Sequence, residues 1–99
     1  MAGFVQIIEY TTSRFEEVLA LGDQYRNQQK SSLARKVTVT ANRDRPNTYM
    51  TIVEFDSYES AMENSASPET AQFAEQMQKL CDGPPAFRNL DVRHELDRS

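Results

Sequence analysis

Apolar and polar residues alternate or cluster in short runs at three places in the first half of this chain. Residues 4–10 (FVQIIEY) are β-branched and aromatic, residues 35–42 (RKVTVTAN) alternate strictly, and residues 48–55 (TYMTIVEF) repeat the first pattern. Such runs are typical of β-strands. Residues 43–47 (RDRPN) are turn formers, so they predict that the second and third strands form a hairpin.

A helical period separates the first strand from the second. Apolar or small residues recur on one helical face at Phe15, Val18, Leu19, Gly22 and Tyr25. Ser13 and Glu16 have the spacing of a capping box. The pattern predicts a first helix that begins after Ser13 and ends near Gln29 or Lys30.

The second helical region is interrupted at residues 62–70 (MENSASPET). Before this break, Asp56 or Ser57 can cap a short helix. After it, Ser67 can serve as a new N-cap, with Pro68 at the first helical position. We therefore predict two consecutive helices rather than one.

The pattern of residues in the last third of the chain predicts a longer helix and a last strand. The helix carries a stripe at i, i+4, i+7 and i+8 made of Phe73, Met77, Leu80 and Cys81. Gly83, followed by two prolines, is expected to end it. Residues 89–96 then alternate, with one face formed by Leu90, Val92, His94 and Leu96.

The predicted order is β-α-β-β-α-β, with the second helical region split. This is the order of the ferredoxin-like α+β sandwich, in which a four-stranded antiparallel sheet carries its helices on one face. A chain of 99 residues is the size of one domain. We therefore expect residues 1–99 to form a single ferredoxin-like domain.

The first and third strands are apolar on both faces. In the first strand, one face carries Phe4, Gln6, Ile8 and Tyr10, and the other carries Val5 and Ile7. In the third strand, one face carries Tyr49, Val53 and Phe55, and the other carries Met50 and Ile52. A solvated face of an antiparallel sheet is normally polar, so we expect a second copy of the chain to cover the other face in a homodimer. The alternative is that a few exposed apolar residues are normal. The repetition on two strands favours the homodimer.

The composition of the chain disfavours several classes of binding partner. The net charge of −4 disfavours nucleic acid and an anionic membrane surface, because both require a basic footprint. The single cysteine, Cys81, and the single histidine, His94, cannot build the common Cys/His zinc sites, so we expect no metal and no cofactor. One unpaired cysteine and the absence of a secretory leader fit the cytoplasm.

The segment 53–77 (VEFDSYESAMENSASPETAQFAEQM) resembles the antibiotic biosynthesis monooxygenase-like domains of the dimeric α/β-barrel superfamily. It shares their order of strand, short helix, small-residue break and helix, and the order of elements matches along nearly the whole chain. The resemblance implies a homodimeric α/β barrel with a cavity for a small aromatic or apolar molecule. For an enzyme, it implies cofactor-independent oxygenation, in which the substrate itself donates an electron to oxygen.

The chain departs from this family at the break and in its aromatic residues. Family members often carry a tryptophan near the short helix and a histidine around the break. This chain has no tryptophan, and Asn64 and Glu69 stand around the break instead. The family pattern for haem degradation is therefore not met.

Three residues are the candidates for catalysis. Tyr49 offers a ring and a hydroxyl on a strand face, Asn64 offers an amide that could orient a substrate oxygen, and His94 is a possible base. Each has a structural alternative: Tyr49 as a core residue, Asn64 as a turn or C-cap residue, and His94 as a packed, hydrogen-bonded side chain.

Polar residues among the apolar strand positions are the candidates for substrate binding. We expect Gln6, Thr38 and Thr51 to contact the small molecule if they share one cavity, because such sites are mostly apolar with a few polar groups. The alternative to an enzyme is a non-catalytic dimeric module that binds a ligand or only stabilises an assembly.

Overall fold

The computed structural model describes residues 3–28 and 34–96. The chain order is β1, α1, β2, β3, α2, α3, β4. The bounds of these elements are β1 Phe4–Thr11, α1 Phe15–Gln28, β2 Ala34–Ala41, β3 Thr48–Phe55, α2 Tyr58–Ser65, α3 Pro68–Leu80 and β4 Ala86–Asp91.

The strands form one antiparallel sheet in the order β2-β3-β1-β4. The two strands with apolar residues on both faces, β1 and β3, lie at its centre. The sequence order with the split second helix is also confirmed, so the fold is the α+β ferredoxin-like sandwich.

The three helices of the described residues pack on one face of the sheet. On β1 this face carries the buried residues Phe4 and Tyr10, which lie at opposite ends of the strand. Phe4 packs with Phe55 and with Ala61 of α2. Tyr10 packs with Val18 of α1 and Met77 of α3. The core is therefore two clusters rather than one, and the middle of the same face lies between them.

The predicted caps of the split helix are confirmed. The Ser57 hydroxyl accepts a hydrogen bond from the backbone N–H of Ser60 at the start of α2. The Ser67 hydroxyl accepts one from the backbone N–H of Thr70 at the start of α3, and Pro68 follows as the first helical residue. The break is thus a helix end followed by a new start.

Two helix ends differ from the sequence prediction. The Arg14 carbonyl accepts hydrogen bonds from the backbone N–H groups of Glu17 and Val18 at the start of α1, so Arg14 rather than Ser13 holds the N-cap position. α3 ends at Leu80, before Gly83, because Cys81 is already extended with a φ of −92° and a ψ of 152°. The predicted end of α1 at Gln29 or Lys30 lies outside the described residues.

The last strand begins and ends earlier than predicted. β4 starts at Ala86 and stops at Asp91, which pairs with Phe4 at the beginning of β1. Val92 still donates its backbone N–H to the Gly3 carbonyl, but later residues extend past the described part of β1. His94 therefore lies outside the sheet and is exposed. The prediction of a strand over 89–96 was wrong because the partner strand, not the alternation, sets its length.

The face of the sheet without helices is called here the outer face. The registers place on it Val5 and Ile7 of β1 and Met50 and Ile52 of β3, all half-buried. Thr38 of β2 pairs with Ile52 and lies on the same face. Among the described residues, no helix is long and apolar enough to cross a membrane.

Candidate functional site

A cavity of about 550 Å³ lies between the sheet and helices α1 and α3. This volume falls in the range of small-molecule sites. We call it the sheet–helix cavity. Its walls are mainly apolar, and its described lining includes Ile8, Tyr10, Val18, Leu19, Tyr25, Val37, Val39, Val53, Phe73 and Met77.

The cavity exists because the helices leave the edge of the sheet uncovered. Val37 and Val39 of the edge strand β2 pair with Val53 and Thr51, so they lie on the helix face. Yet these two valines are 41% and 39% exposed. Apolar side chains on the helix face that remain this accessible mark a gap that a ligand can fill.

An aromatic stack closes one end of the cavity. The rings of Phe15 and Tyr49 are parallel, with centroids 3.9 Å apart and planes at 6°. Tyr49 also stacks on Tyr10, at 5.9 Å and 29°. Phe15 comes from α1 and Tyr49 from β3, so the stack fixes the start of the helix against the sheet. Tyr10 is the member that faces the cavity.

The Tyr10 hydroxyl is the polar group at this end. It lies 3.2 Å from the Thr51 hydroxyl, and both residues line the cavity. Burial raises the pKa of Tyr10, although the hydrogen bond with Thr51 partly offsets that rise. The phenol is therefore neutral at physiological pH and can donate a hydrogen bond to a ligand oxygen.

The helix break forms the second polar part of the lining. The Thr70 hydroxyl donates to the backbone carbonyl of Asn64 at 2.8 Å and lies 2.6 Å from the Tyr25 hydroxyl. It also lies 2.7 Å from the Ser67 hydroxyl. Because a hydroxyl has one proton, Tyr25 and Ser67 must donate to Thr70. This network joins α1, the end of α2 and the start of α3, and places the half-buried Asn64 at the cavity.

The third polar part of the lining is cationic. Arg35 and Lys36, at the start of β2, border the cavity at the end of the sheet near Phe55. Arg35 also contacts Asp56, with 3.2 Å between Nε and Oδ1.

The residues predicted to form the site are only partly brought together. Gln6, Thr51 and Asn64 line the sheet–helix cavity. Tyr49 lies behind Tyr10 in the aromatic stack and supports the wall instead of lining it. Gln6 also donates from Nε2 to Asn89 Oδ1, at 3.2 Å.

Two predicted residues lie away from the cavity. Thr38 is on the outer face, opposite Ile52, because its neighbours Val37 and Val39 take the helix face. His94 follows β4 and is exposed, apart from the described lining. Strand alternation was correct for each strand taken alone, but the sequence did not show which face of β2 matched which face of β3.

Sequence reasoning did not assign Tyr25, Thr70, Arg35 and Lys36 to the site. Tyr25 shows in the sequence only as one residue of the apolar helical face, and Thr70 is distant from it in the sequence. Their contact depends on how α1 packs against α3, which no local pattern encodes. Tyr10 was discoverable, because it shares the alternating face of Gln6.

The types of ionisable group in the described lining limit the reactions that the cavity can catalyse. Among the described residues that line the cavity, there is no aspartate, glutamate or histidine. The described part of the chain also contains no cluster of three such residues or cysteines that could hold a metal ion. The lining offers hydrogen-bond donors and cations.

Comparison with known proteins shows similarity in structure. The chain matches SnoaB, a cofactor-independent oxygenase from Streptomyces nogalater, with a TM-score of 0.78 and 18% identity over 99% of this chain and 100% of that one. It matches Rv0793 from Mycobacterium tuberculosis with a TM-score of 0.77 and 16% identity, over 97% and 100% of the two chains. The sequence matches no family model and no curated protein.

A third structure agrees with these two. An antibiotic biosynthesis monooxygenase aligns with a TM-score of 0.71 and 11% identity, over 92% of this chain and 99% of that one. The fold of this chain is therefore the antibiotic biosynthesis monooxygenase-like fold, as the resemblance in segment 53–77 implied. At these identities the likeness concerns the fold, and function has to be argued from the cavity.

Proposed function

We propose that this protein binds a small, mainly aromatic organic molecule in the sheet–helix cavity. The observation that carries this proposal is the cavity itself, with about 550 Å³ of space on the helix face. Its walls are apolar, with a few convergent polar groups, which is the usual composition of a small-molecule site. SnoaB, whose fold is similar, is a cofactor-independent oxygenase.

The enzymatic form of this proposal is cofactor-independent monooxygenation. In such a reaction an electron-rich aromatic substrate donates an electron to oxygen, and the protein has to hold and orient the substrate. We assign the orienting contacts to Asn64, Gln6 and Thr51, together with the Tyr10 hydroxyl. Tyr49 would hold the Tyr10 ring in place through their stacking.

Oxygen uptake tests the enzymatic form directly. We expect the protein to consume oxygen with at least one member of a panel of quinols and anthrone-like phenols. Asn64→Ala should lower kcat/KM about tenfold or more, because it removes one orienting hydrogen bond. The matched control is Ser65→Ala, which changes an exposed residue at the end of the same helix. Equal activity of the two variants would contradict the role of Asn64.

A non-catalytic ligand-binding module is the second candidate. It is favoured by the described lining, which contains no carboxylate or imidazole to remove a proton from a substrate. Binding without oxygen uptake, for the whole panel, would support this candidate over the enzyme. Binding by calorimetry and turnover by oxygen electrode therefore separate the two.

We also propose that the outer face is covered by a second copy of the chain. It carries the half-buried Val5, Ile7, Met50 and Ile52 and the 44% exposed Leu90 of β4. A row of apolar side chains across three neighbouring strands is unusual for a solvated sheet face. A two-fold pairing of these faces would leave the sheet–helix cavity of each protomer open on its own side.

A further inference from the structure

We propose that the ligand of the sheet–helix cavity is an amphiphilic anion, with an apolar ring body and one acidic group held by Arg35, beside Lys36. This inference rests on the proposed binding function. It specifies the chemical class of the ligand, which the cavity volume alone does not.

The charge of the lining differs in sign from the charge of the chain. The chain has 15 acidic and 11 basic residues, for a net charge of −4. Among the described residues that line the cavity, Arg35 and Lys36 are the charged ones, and both are cations. Both residues are exposed, so an anion can reach them from solvent. The cavity entrance is thus a local attractor for anions.

A β-bulge explains why Arg35 borders the cavity on the helix face. In a regular strand only every second residue lies on a given face. The pairing of β2 with β3 shifts between Ala34 and Lys36, so that Arg35 is the extra residue. Lys36 pairs with Glu54 on the outer face, so Arg35 is the cation that the bulge brings to the cavity, which Lys36 only borders. Bulges re-aim side chains at strand ends and often lie next to binding sites.

The contact of Arg35 with Asp56 leaves this cation able to bind a ligand. It joins Nε to one carboxylate oxygen at 3.2 Å, with the two side chains 42% and 68% exposed. A guanidinium has four further N–H donors on its terminal nitrogens. An exposed ion pair of this kind contributes at most about 1 kcal/mol, so a ligand carboxylate can share or replace it.

The shape of the cavity fits a molecule with an acidic group at one end. Thr51 and Phe55 of β3 both line it, and their four-residue separation corresponds to roughly 13 Å of strand. The cations lie near Phe55, and the Tyr10 and Thr51 hydroxyls lie at the other end. Val53 lies between these two ends and is part of the apolar wall, which suits the ring body of the ligand.

Two probes of equal ring size test the inference. The probes are 2-naphthoate, which carries a carboxylate, and 2-naphthalenemethanol, which carries a neutral hydroxymethyl group at the same carbon. We expect the wild-type protein to bind 2-naphthoate about tenfold more tightly in calorimetry, as one charge-assisted contact would give. Added salt should weaken the binding of naphthoate and leave that of the alcohol unchanged.

Variants that remove positive charges show which residues cause the preference for naphthoate. Arg35→Gln with Lys36→Gln should abolish the preference for naphthoate, while the unchanged affinity for the alcohol shows that the cavity is intact. The matched control removes two exposed positive charges elsewhere, with Arg43→Gln and Arg93→Gln, and should keep the preference. Asp56→Asn should tighten naphthoate binding, because it removes the competing carboxylate.

The outcomes separate this inference from the proposed function. Equal affinity of the wild type for both probes would overturn the charge preference and leave the binding function in place. An equal loss of preference in the control variant would also overturn it, because the effect would then come from net charge. Binding of neither probe would overturn both the inference and the proposed function.

Discussion

Tyr10 shows how one residue links the core of this protein to its cavity. Its ring packs between Val18 and Met77 and stacks on Tyr49, while its hydroxyl meets Thr51 at the cavity wall. Strand alternation predicted the face on which Tyr10 lies. It could not predict the role of Arg35, because the bulge that brings this residue to the cavity breaks the alternation.

The raised pKa of Tyr10 predicts a loss of stability in alkali. The folded protein favours the neutral phenol, so this contribution is complete below the unfolded pKa of about 10 and disappears as the pH rises through the higher folded value. Tyr10→Phe should cost about 1 kcal/mol of unfolding free energy at neutral pH, through the lost hydrogen bond.

Urea unfolding at several pH values checks this prediction. The difference between wild type and Tyr10→Phe should shrink above pH ~10. The control is Tyr58→Phe, because the Tyr58 side chain is 53% exposed and its ring contact with Phe4 is kept. A difference that stays constant with pH would contradict the assignment.

At the scale of elements, the break between α2 and α3 is the part of the fold that shapes the site. Ser67 and Pro68 were recognisable in the sequence as the start of a helix, because capping is a local property. The length of β4 was not recognisable, because it depends on pairing with a strand more than 80 positions away, as between Phe4 and Asp91. The position of Asn64 at the cavity depends both on the local capping of the helices and on how the helices pack in the whole fold.

Removing the second cap should loosen the break. Ser67→Ala loses the N-cap bond to Thr70 N–H and a hydroxyl contact within the network that includes Tyr25. We expect the unfolding free energy to fall by about 1–2 kcal/mol. Ser65→Ala, at an exposed position two residues earlier, should change it by less than about 0.5 kcal/mol. Equal effects in thermal unfolding would contradict the role of Ser67.

At the scale of the whole molecule, the two faces of the sheet have different roles. The helix face holds the core clusters and the cavity, and the outer face is proposed to pair with a second copy. The sequence predicted that both faces of β1 and β3 are apolar. The family resemblance implied a cavity, but the strand patterns could not locate it over Val37 and Val39, because that gap arises from the placement of α1 and α3.

A charge on the outer face should separate the proposed dimer. Light scattering at micromolar concentration should give about twice the 11.3 kDa chain mass for the wild type. Ile52→Lys should give the monomer mass, because it would bury an unpaired charge between two sheets. Leu96→Lys, at a 72% exposed position after β4, is the control and should remain dimeric. A wild-type mass near that of one chain would contradict the pairing.

Methyl NMR of the wild-type protein titrated with 2-naphthoate shows whether the ligand site lies on the helix face of the sheet. Ile8, Val39 and Val53 line the cavity, whereas Ile7 and Ile52 lie on the outer face of the same strands. We expect the methyl signals of Ile8, Val39 and Val53 to shift saturably with added ligand. The methyl signals of Ile7 and Ile52 should not move. Shifts confined to Ile7 and Ile52 would contradict a site on the helix face.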